Sequence, residues 1–314
     1  MRIGLHITKF DWPGGTPALK PTLTQIARTA DQAGFYSLWV MDHYFQLGER
    51  FGPPHGAEEL NMLEAYSTLS FMAGLTHNVK LGALVSCNLF RHPGALVKVV
   101  TTLDVLSGGR AYFGLGAGWF EREADCLGFP LPGTWKERFD RLEETLQIAH
   151  KMLSDDRTPY DGKYYQLSEP INHPLPLSQP RIPILIGGEG EKRTLRLVAQ
   201  YADACNFVVG SPVEDLPDGL RISYEDGLDF LRHKLNVLHD HCRELGRPYD
   251  EIEKTMVTYI RLRQDAQKPV EIIDWCGKLA QAGFEHVIFI LLNLEEITPL
   301  EVFGTEIIPA VRDM

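Results

Sequence analysis

Asp42 and His43, which close the apolar run of SLWVMDHYF, carry the strongest chemical suggestion in the chain. An imidazole titrates near neutrality and can donate, accept or relay a proton, and a carboxylate beside it can bond a cofactor or orient a neighbour. The plainer alternative has Asp42 capping a loop and His43 bonding a backbone carbonyl. Glycines supply the second suggestion. RAYFGLGAGWFE, at 110–121, places Gly116 and Gly118 after an apolar run, and PILIGGEGEKRTLRLVAQYADACNF places Gly187 and Gly188 between a strand and a helix. Such glycines let backbone amides approach a ligand, and a helix start offers unpaired N–H groups and a positive dipole end to a phosphate. Lys192 and Arg193 add charge of the right sign, whereas Glu189 and Glu191 oppose an anion. The first glycine loop is a poor dinucleotide clamp. GxGxxG requires a third glycine where this chain has Trp119, and the loop follows the fourth expected strand instead of the first.

These residues are positioned by alternating short apolar runs and amphipathic helical patterns, the sign of βα units around a parallel sheet. Strands are expected at 2–7, 37–42, 80–87, 111–116, 183–187, 204–209, 255–262 and 286–292. Helices are expected at 23–33, 63–75, 95–106, 139–153, 194–202, 228–245, 270–282 and 300–311. Eight such units without a dividing linker predict an α/β fold of the (β/α)8 TIM barrel type, one domain over 1–314. Two insertions interrupt it, near 44–61 and 128–181, the second with a hairpin at 160–167. The first follows a strand and is rich in glycine and proline, so it should stand over the barrel mouth as a lid. In this fold chemistry gathers at the C-terminal strand ends. Those ends carry His6 and Lys9, Asp42 and His43, Cys87 and Asn88, Gly116 and Gly118, Gly187 and Gly188, then Asn206, Arg261 and Asn293.

Composition excludes other classes. A net charge of −11, from 31 basic and 42 acidic residues, repels a phosphate backbone, so no nucleic-acid partner is expected. The five cysteines are scattered without a CxxC pair, which suggests reduced thiols and neither a zinc ribbon nor a disulfide framework. No window has the roughly 18 apolar residues of a membrane span, and the first residues lack a signal-peptide pattern, so no membrane partner and cytoplasmic residence are expected. The cluster His239-Asp240-His241-Cys242 offers metal-ligand types, but helix neighbours at i and i+2 face apart, so a solvated face is expected there and no metal.

With SLWVMDHYF, VKLGALVSCNLFRHP, LDVLSGGRAYFGLGAGWFERE, ERFDRLEETLQI and PILIGGEGEKRTLRLVAQYADACNF in this order, the chain resembles the luciferase-like monooxygenase superfamily. Within it, the resemblance is to the branch of oxidoreductases dependent on the deazaflavin coenzyme F420, from Met1 to about Val209 and more loosely beyond. It implies a cofactor lying across the barrel mouth, with Asp42 near the ring and His43 as the acid/base group. It also implies a bulge with a cis non-proline peptide at Leu84-Val85 supporting the ring, and a cofactor-facing place for Cys87, which is equally readable as a small buried hydrophobe. Gly116 and Gly118 would then give clearance, and Gly187 and Gly188 would hold the phosphate. The implied activity is hydride transfer between a small organic substrate and F420. The alternatives are an FMN-dependent monooxygenase fed by a partner flavin reductase, and a non-catalytic flavin-binding barrel. A homodimer is implied, and Arg91, Lys98, Lys192 and Arg193 could form a basic rim for the acidic tail of F420. The segment after the seventh strand shrinks here to 264–269, so substrate covering should come from 44–61.

Overall fold

In the computed structural model, which describes every residue except 54, 215 and 264, the first and last strands are neighbours. In chain order the strands are β1 (Arg2–Ile7), β2 (Ser37–Val40), β3 (Lys80–Ala83), β4 (Ser86–Cys87), β5 (Ala111–Gly116), β6 (Tyr160–Asp161), β7 (Gln166–Leu167), β8 (Ile184–Gly187), β9 (Ala204–Val208), β10 (Glu253–Ile260) and β11 (His286–Leu291). Parallel pairing runs β3-β2-β1-β11-β10-β9-β8-β5, and β3 also pairs with β5, which closes the ring. This is the (β/α)8 TIM barrel that the alternating pattern predicts. β6 and β7 form the antiparallel hairpin expected inside the second insertion.

The third barrel position is split where the sequence predicts a continuous strand over 80–87, and the bulge with a cis peptide at Leu84-Val85 that the resemblance implies is present. β3 and β4 both pair with β5, and between them the Leu84-Val85 peptide is cis and leaves the ladder. Glycine makes the detour possible. A Cβ at Gly114 would lie 2.1 Å from the Ala83 carbonyl oxygen, so only glycine lets β5 approach the bulge that closely.

The helices are α1 (Thr16–Ala33), α2 (Ala65–Ala73), α3 (Pro93–Ser107), α4 (Glu121–Leu127), α5 (Trp135–Leu153), α6 (Thr194–Tyr201), α7 (Tyr224–Leu245), α8 (Pro269–Gln281), α9 (Thr298–Val302) and α10 (Ile308–Val311). Two depart from expectation. α1 begins seven residues early with Pro17 in its first turn, where a missing N–H is an orphan in any case, and runs on through Pro21, which leaves the Pro17 carbonyl without its ladder partner. The single helix expected at 300–311 is broken by a π-helical turn, Phe303–Ile307, ahead of Pro309, whose ring cannot follow a regular turn. No helix among the described residues is long and apolar enough to cross a membrane.

Strand alternation divides the core in two. Ile3, Leu5 and Ile7 of β1 face outward into the large cluster shared with the helices. Gly4 and His6 therefore point into the barrel. The interior is plugged by Trp39, Tyr112, Leu185, Ala204, Val257, Tyr259, Ile288 and Ile290. At the N-terminal end a polar network crosses it: Ser37 Oγ lies 2.8 Å from His286 Nε2 and accepts from Trp39 Nε1, while Glu253 accepts from Tyr112 and Arg2. Gly4 is required beside it, because a Cβ there would sit 2.4 Å from Ser37 Oγ.

Candidate active site

The C-terminal strand ends surround a cavity of about 480 Å³. His43, Asp42, Leu84, Val85, Cys87, Gly116, Gly118, Gly187 and Gly188 all line it. His6 and Asn206 line it too, whereas Lys9, Asn88, Arg261 and Asn293 are not brought to its wall.

His43 is held from one side only. Its Nδ1 lies 2.9 Å from Glu123 Oε2, and the Tyr44 amide donates to the other oxygen of the same carboxylate. The imidazole meets Trp119 and Phe120 edge-on, at 5.9 and 5.8 Å between centroids, so its plane is fixed by packing as well. With Nδ1 committed, Nε2 is the nitrogen left for a ligand. Glu123 is fully buried in the first turn of α4, where a carboxylate is favoured by the helix dipole.

Asp42 does not orient His43. Its two oxygens accept from Arg91 Nη1 and Nη2 at 2.7 and 2.9 Å, and Arg91 also binds Glu64 at 2.7 Å. Burial pushes the Asp42 carboxyl up, opposed by Arg91, and despite its own burial the arginine is held above its ordinary value by Asp42. Arg91 is therefore internal and belongs to no basic rim. Each Asp42 oxygen keeps a lone pair, which is all it can offer a cofactor.

The glycines first make room for protein. A Cβ at Gly116 would lie 2.8 Å from Val85 Cγ2, and one at Gly187 would lie 3.0 Å from Val85 Cγ1. Val85 is thus keyed into the wall formed by β5 and β8. Gly118, at φ +78°, leaves space for Cys87 Sγ, 2.5 Å from where its Cβ would be. Burial pushes the Cys87 thiol up to about 12, so it packs as a small neutral group and not as a nucleophile.

At the far edge, Gly188, at φ +127°, and Gly190 approach Thr194 at the start of α6. Of the two glutamates that oppose an anion, Glu191 is drawn aside by Lys234 and His233, whereas Glu189 accepts from the Val208 amide and still lines the cavity. A smaller hollow adjoins the cavity at Phe139 and is lined by Lys192, Arg193 and Arg196 with Asp140 and Glu143. Lys98 instead bonds the His173 carbonyl. In the His239–Cys242 stretch, His239 packs edge-on against Tyr249 and His241 bonds the Glu191 carbonyl.

The loop over 44–61, in which residue 54 lies outside the described residues, covers one side as expected. Gln46 donates to the Thr8 and Asn61 carbonyls, Glu58 pairs with Arg122, and Phe51 packs against Trp119 at 5.4 Å. Residue 264 of the short segment 264–269 also lies outside the described residues. Sequence reasoning missed Glu123, hidden in the charged run EREAD, and missed Arg91 as the partner of Asp42. The signal for Glu123 was an acidic first turn directly after the fourth strand's loop. His55 and the half-exposed Trp119 and Trp135 complete the wall.

Residues 1–218 match the luciferase-like monooxygenase family. The chain belongs to that family. Among its relatives, the F420-dependent glucose-6-phosphate dehydrogenase of Microbacterium testaceum is 26% identical over 318 residues, covering 90% of this chain and 91% of the relative. The F420-dependent hydroxymycolic acid dehydrogenase of Mycobacterium tuberculosis is 28% identical over 178 residues, covering 56% and 46%. Among solved structures, an F420-dependent secondary alcohol dehydrogenase in complex with an F420-acetone adduct superposes with a TM-score of 0.78 at 19% identity over 99% of both chains. The monooxygenase RslO1 from Streptomyces bottropensis gives 0.77 at 15% identity, over 98% of this chain and 99% of that one. At those identities the structures speak for the fold alone.

Proposed function

We propose that the protein is an oxidoreductase that moves a hydride between a small organic substrate and the deazaflavin coenzyme F420 bound at the barrel mouth. The observation that carries this is the His43–Glu123 pair facing a glycine-walled cavity, in a chain whose sequence relatives named above are F420-dependent dehydrogenases. The residues present fit such a group. Val85, wedged against β5 and β8, offers an apolar support for a flat ring, and the turn of Gly188 and Gly190, packed closely on Thr194, would let a phosphate reach the N–H groups at the start of α6. In the adjoining hollow Lys192 would give an acidic tail a cationic partner, while Arg193 and Arg196 are paired with Asp140 and Glu244.

When bound, the deazaflavin supplies a carbon that takes up or returns a hydride, one hydrogen with two electrons. The chain manages the rest. For an alcohol, the hydroxyl proton passes to His43 Nε2 as the carbinol carbon loses its hydride, and the imidazolium so formed is paired with the buried Glu123 carboxylate through Nδ1. In the reverse direction the same proton returns to a carbonyl oxygen. Trp119, Phe120 and the loop over 44–61 keep water from the reacting atoms.

Titration of the purified protein with F420 and, separately, with FMN tests the assignment by fluorescence quenching. F420 should bind and FMN should bind at least tenfold more weakly. The reverse preference, with substrate oxygenation on adding a flavin reductase, would replace this reading with that of a two-component monooxygenase. Tight binding without turnover across alcohols, imines and activated alkenes would leave a non-catalytic barrel.

A further inference from the structure

His6 is a histidine at the mouth that the reaction above does not use. It is 6% exposed, alternation on β1 points it into the barrel, it lines the cavity, and its ring nitrogens make no well-formed hydrogen bond, the Val40 carbonyl being the one group that interacts with the imidazole at short range. Above it, from the loop over 44–61, His55 lines the same cavity with its Nδ1 also buried and unpartnered. A buried imidazole without partners is costly. Here the unpartnered atoms line a cavity, so a ligand could satisfy them, and its chemistry can be read from the surroundings.

One wall of the cavity is the bulge of Leu84 and Val85 packed on β5 and β8, which the proposed ring occupies. The rest of the lining comes from β1, β10, β11 and the loop after β2, where Leu47, Tyr259 and Ile290 line the cavity along with the two histidines, and Leu84 and Val85 pack against the cluster that holds Tyr259 and Ile290. Among the described residues, no lysine or arginine lines the cavity. The Asp42 carboxylate is already paired with Arg91, and Glu189 adds a carboxyl. An anionic group on the substrate would therefore be buried with nothing to neutralise it, whereas a neutral imidazole offers one N–H donor and one nitrogen acceptor.

We propose that His6 and His55 form a polar clamp for the hydroxyl or carbonyl oxygen of an uncharged, otherwise apolar alcohol or ketone, and that phosphorylated substrates are rejected. The clamp rests on the ring occupying the Leu84-Val85 wall. Burial, with the nearby His43 and, for His6, also His55, holds His6 down at about 3 and His55 at about 4, so both are neutral at physiological pH, and a nearby Val40 carbonyl only partly offsets this for His6. Neutral imidazoles give a phosphate no counter-charge.

The test uses the F420-loaded protein with cyclohexanone, cyclohexanol and glucose 6-phosphate as probes, and reads binding by the shift in cofactor fluorescence. Cyclohexanone and cyclohexanol should bind at least tenfold more tightly than glucose 6-phosphate. His6→Phe should weaken cyclohexanone at least tenfold and raise KM with a smaller change in kcat, and His6→Gln should recover most of the loss. His55→Phe, which leaves the barrel interior intact, should weaken it severalfold. In all three variants F420 affinity should stay within about threefold. Preference for glucose 6-phosphate, or unchanged ketone binding in both His6→Phe and His55→Phe, would overturn the clamp. Absence of F420 binding in the wild type would instead defeat the cofactor reading. The clamp is then judged from the imidazole ¹⁵N resonances of His6 on adding cyclohexanone to the unloaded protein, and resonances that do not move would overturn it.

Discussion

The barrel interior holds a buried histidine at each end, His286 at the floor and His6 at the mouth, and the two are treated in opposite ways. Around His286, Ser37 Oγ lies 2.8 Å from Nε2, Glu253 Oε1 lies 3.3 Å from Nδ1 somewhat out of line, and Tyr112, Arg2 and Trp39 complete the network. Ser37, His286 and Glu253 share the connectivity of a nucleophile, a base and an acid. Yet Ser37 is fully buried and its oxygen already accepts from Trp39, so no substrate reaches it. Around His6 there is a cavity, and only the nearby Val40 carbonyl answers its ring among the described residues. Similar residue types therefore serve stability where the polar groups face one another, even with His286 Nδ1 short of a well-aligned bond, and function where they face a cavity.

The comparison is broken most severely at His43. His43→Ala should lower kcat by about 10²–10⁴-fold while F420 affinity moves less than about threefold, as seen by steady-state kinetics beside cofactor titration. A binding loss as large as the loss of turnover would make His43 a cofactor anchor and not an acid/base group. At the floor the reverse is expected. His286→Ala should cost about 3–5 kcal/mol in urea unfolding, because it leaves Glu253 and Ser37 buried with fewer partners, while kcat of the surviving folded protein stays within about twofold.

Acid separates the two ends by pH window. Against its burial, His286, Tyr112 and Arg2 hold Glu253 down at about 2 from an ordinary 4.5. Below 4.5 the unfolded chain takes up a proton that the folded chain refuses, so stability present above pH 4.5 is lost as pH falls toward 2, by about 3 kcal/mol. His6 and His55 are also depressed, to about 3 and 4 from 6.5, and remain neutral in the folded chain while the unfolded chain charges them. Their loss begins earlier, between pH 6.5 and 4. Urea midpoints of the unloaded protein at pH 7, 5.5 and 4 should fall in wild type, and His6→Phe should flatten the upper part of that fall. An equal fall in that variant would remove the mouth from the acid response. The smallest effect is expected at the phosphate edge, where Gly188→Asp, at φ +127° and with an added charge, should weaken F420 about tenfold with little change in kcat at saturation.

Much of this arrangement is legible without coordinates. Strands at 2–7 and 111–116 and the glycine-closed helix ends follow from local periodicity and from backbone that only glycine tolerates. Strand-end chemistry at Asp42, His43, Gly187 and Gly188 follows from those strands, because a barrel gathers its C-terminal ends. The early start of α1 and the break before α10 were not legible, since proline there reads as an ordinary boundary.

The sequence by itself determined which residues could reach the mouth, since hydrophobic alternation and strand order are local properties of the chain. Tertiary structure alone decided what each one does there. Ring closure joins His43 to Glu123 across 80 residues and Asp42 to Arg91 across 49, and it leaves His6 with no side-chain hydrogen bond. A hydrogen bond depends on distances of a few tenths of an ångström between segments far apart in the chain, and no local pattern records them.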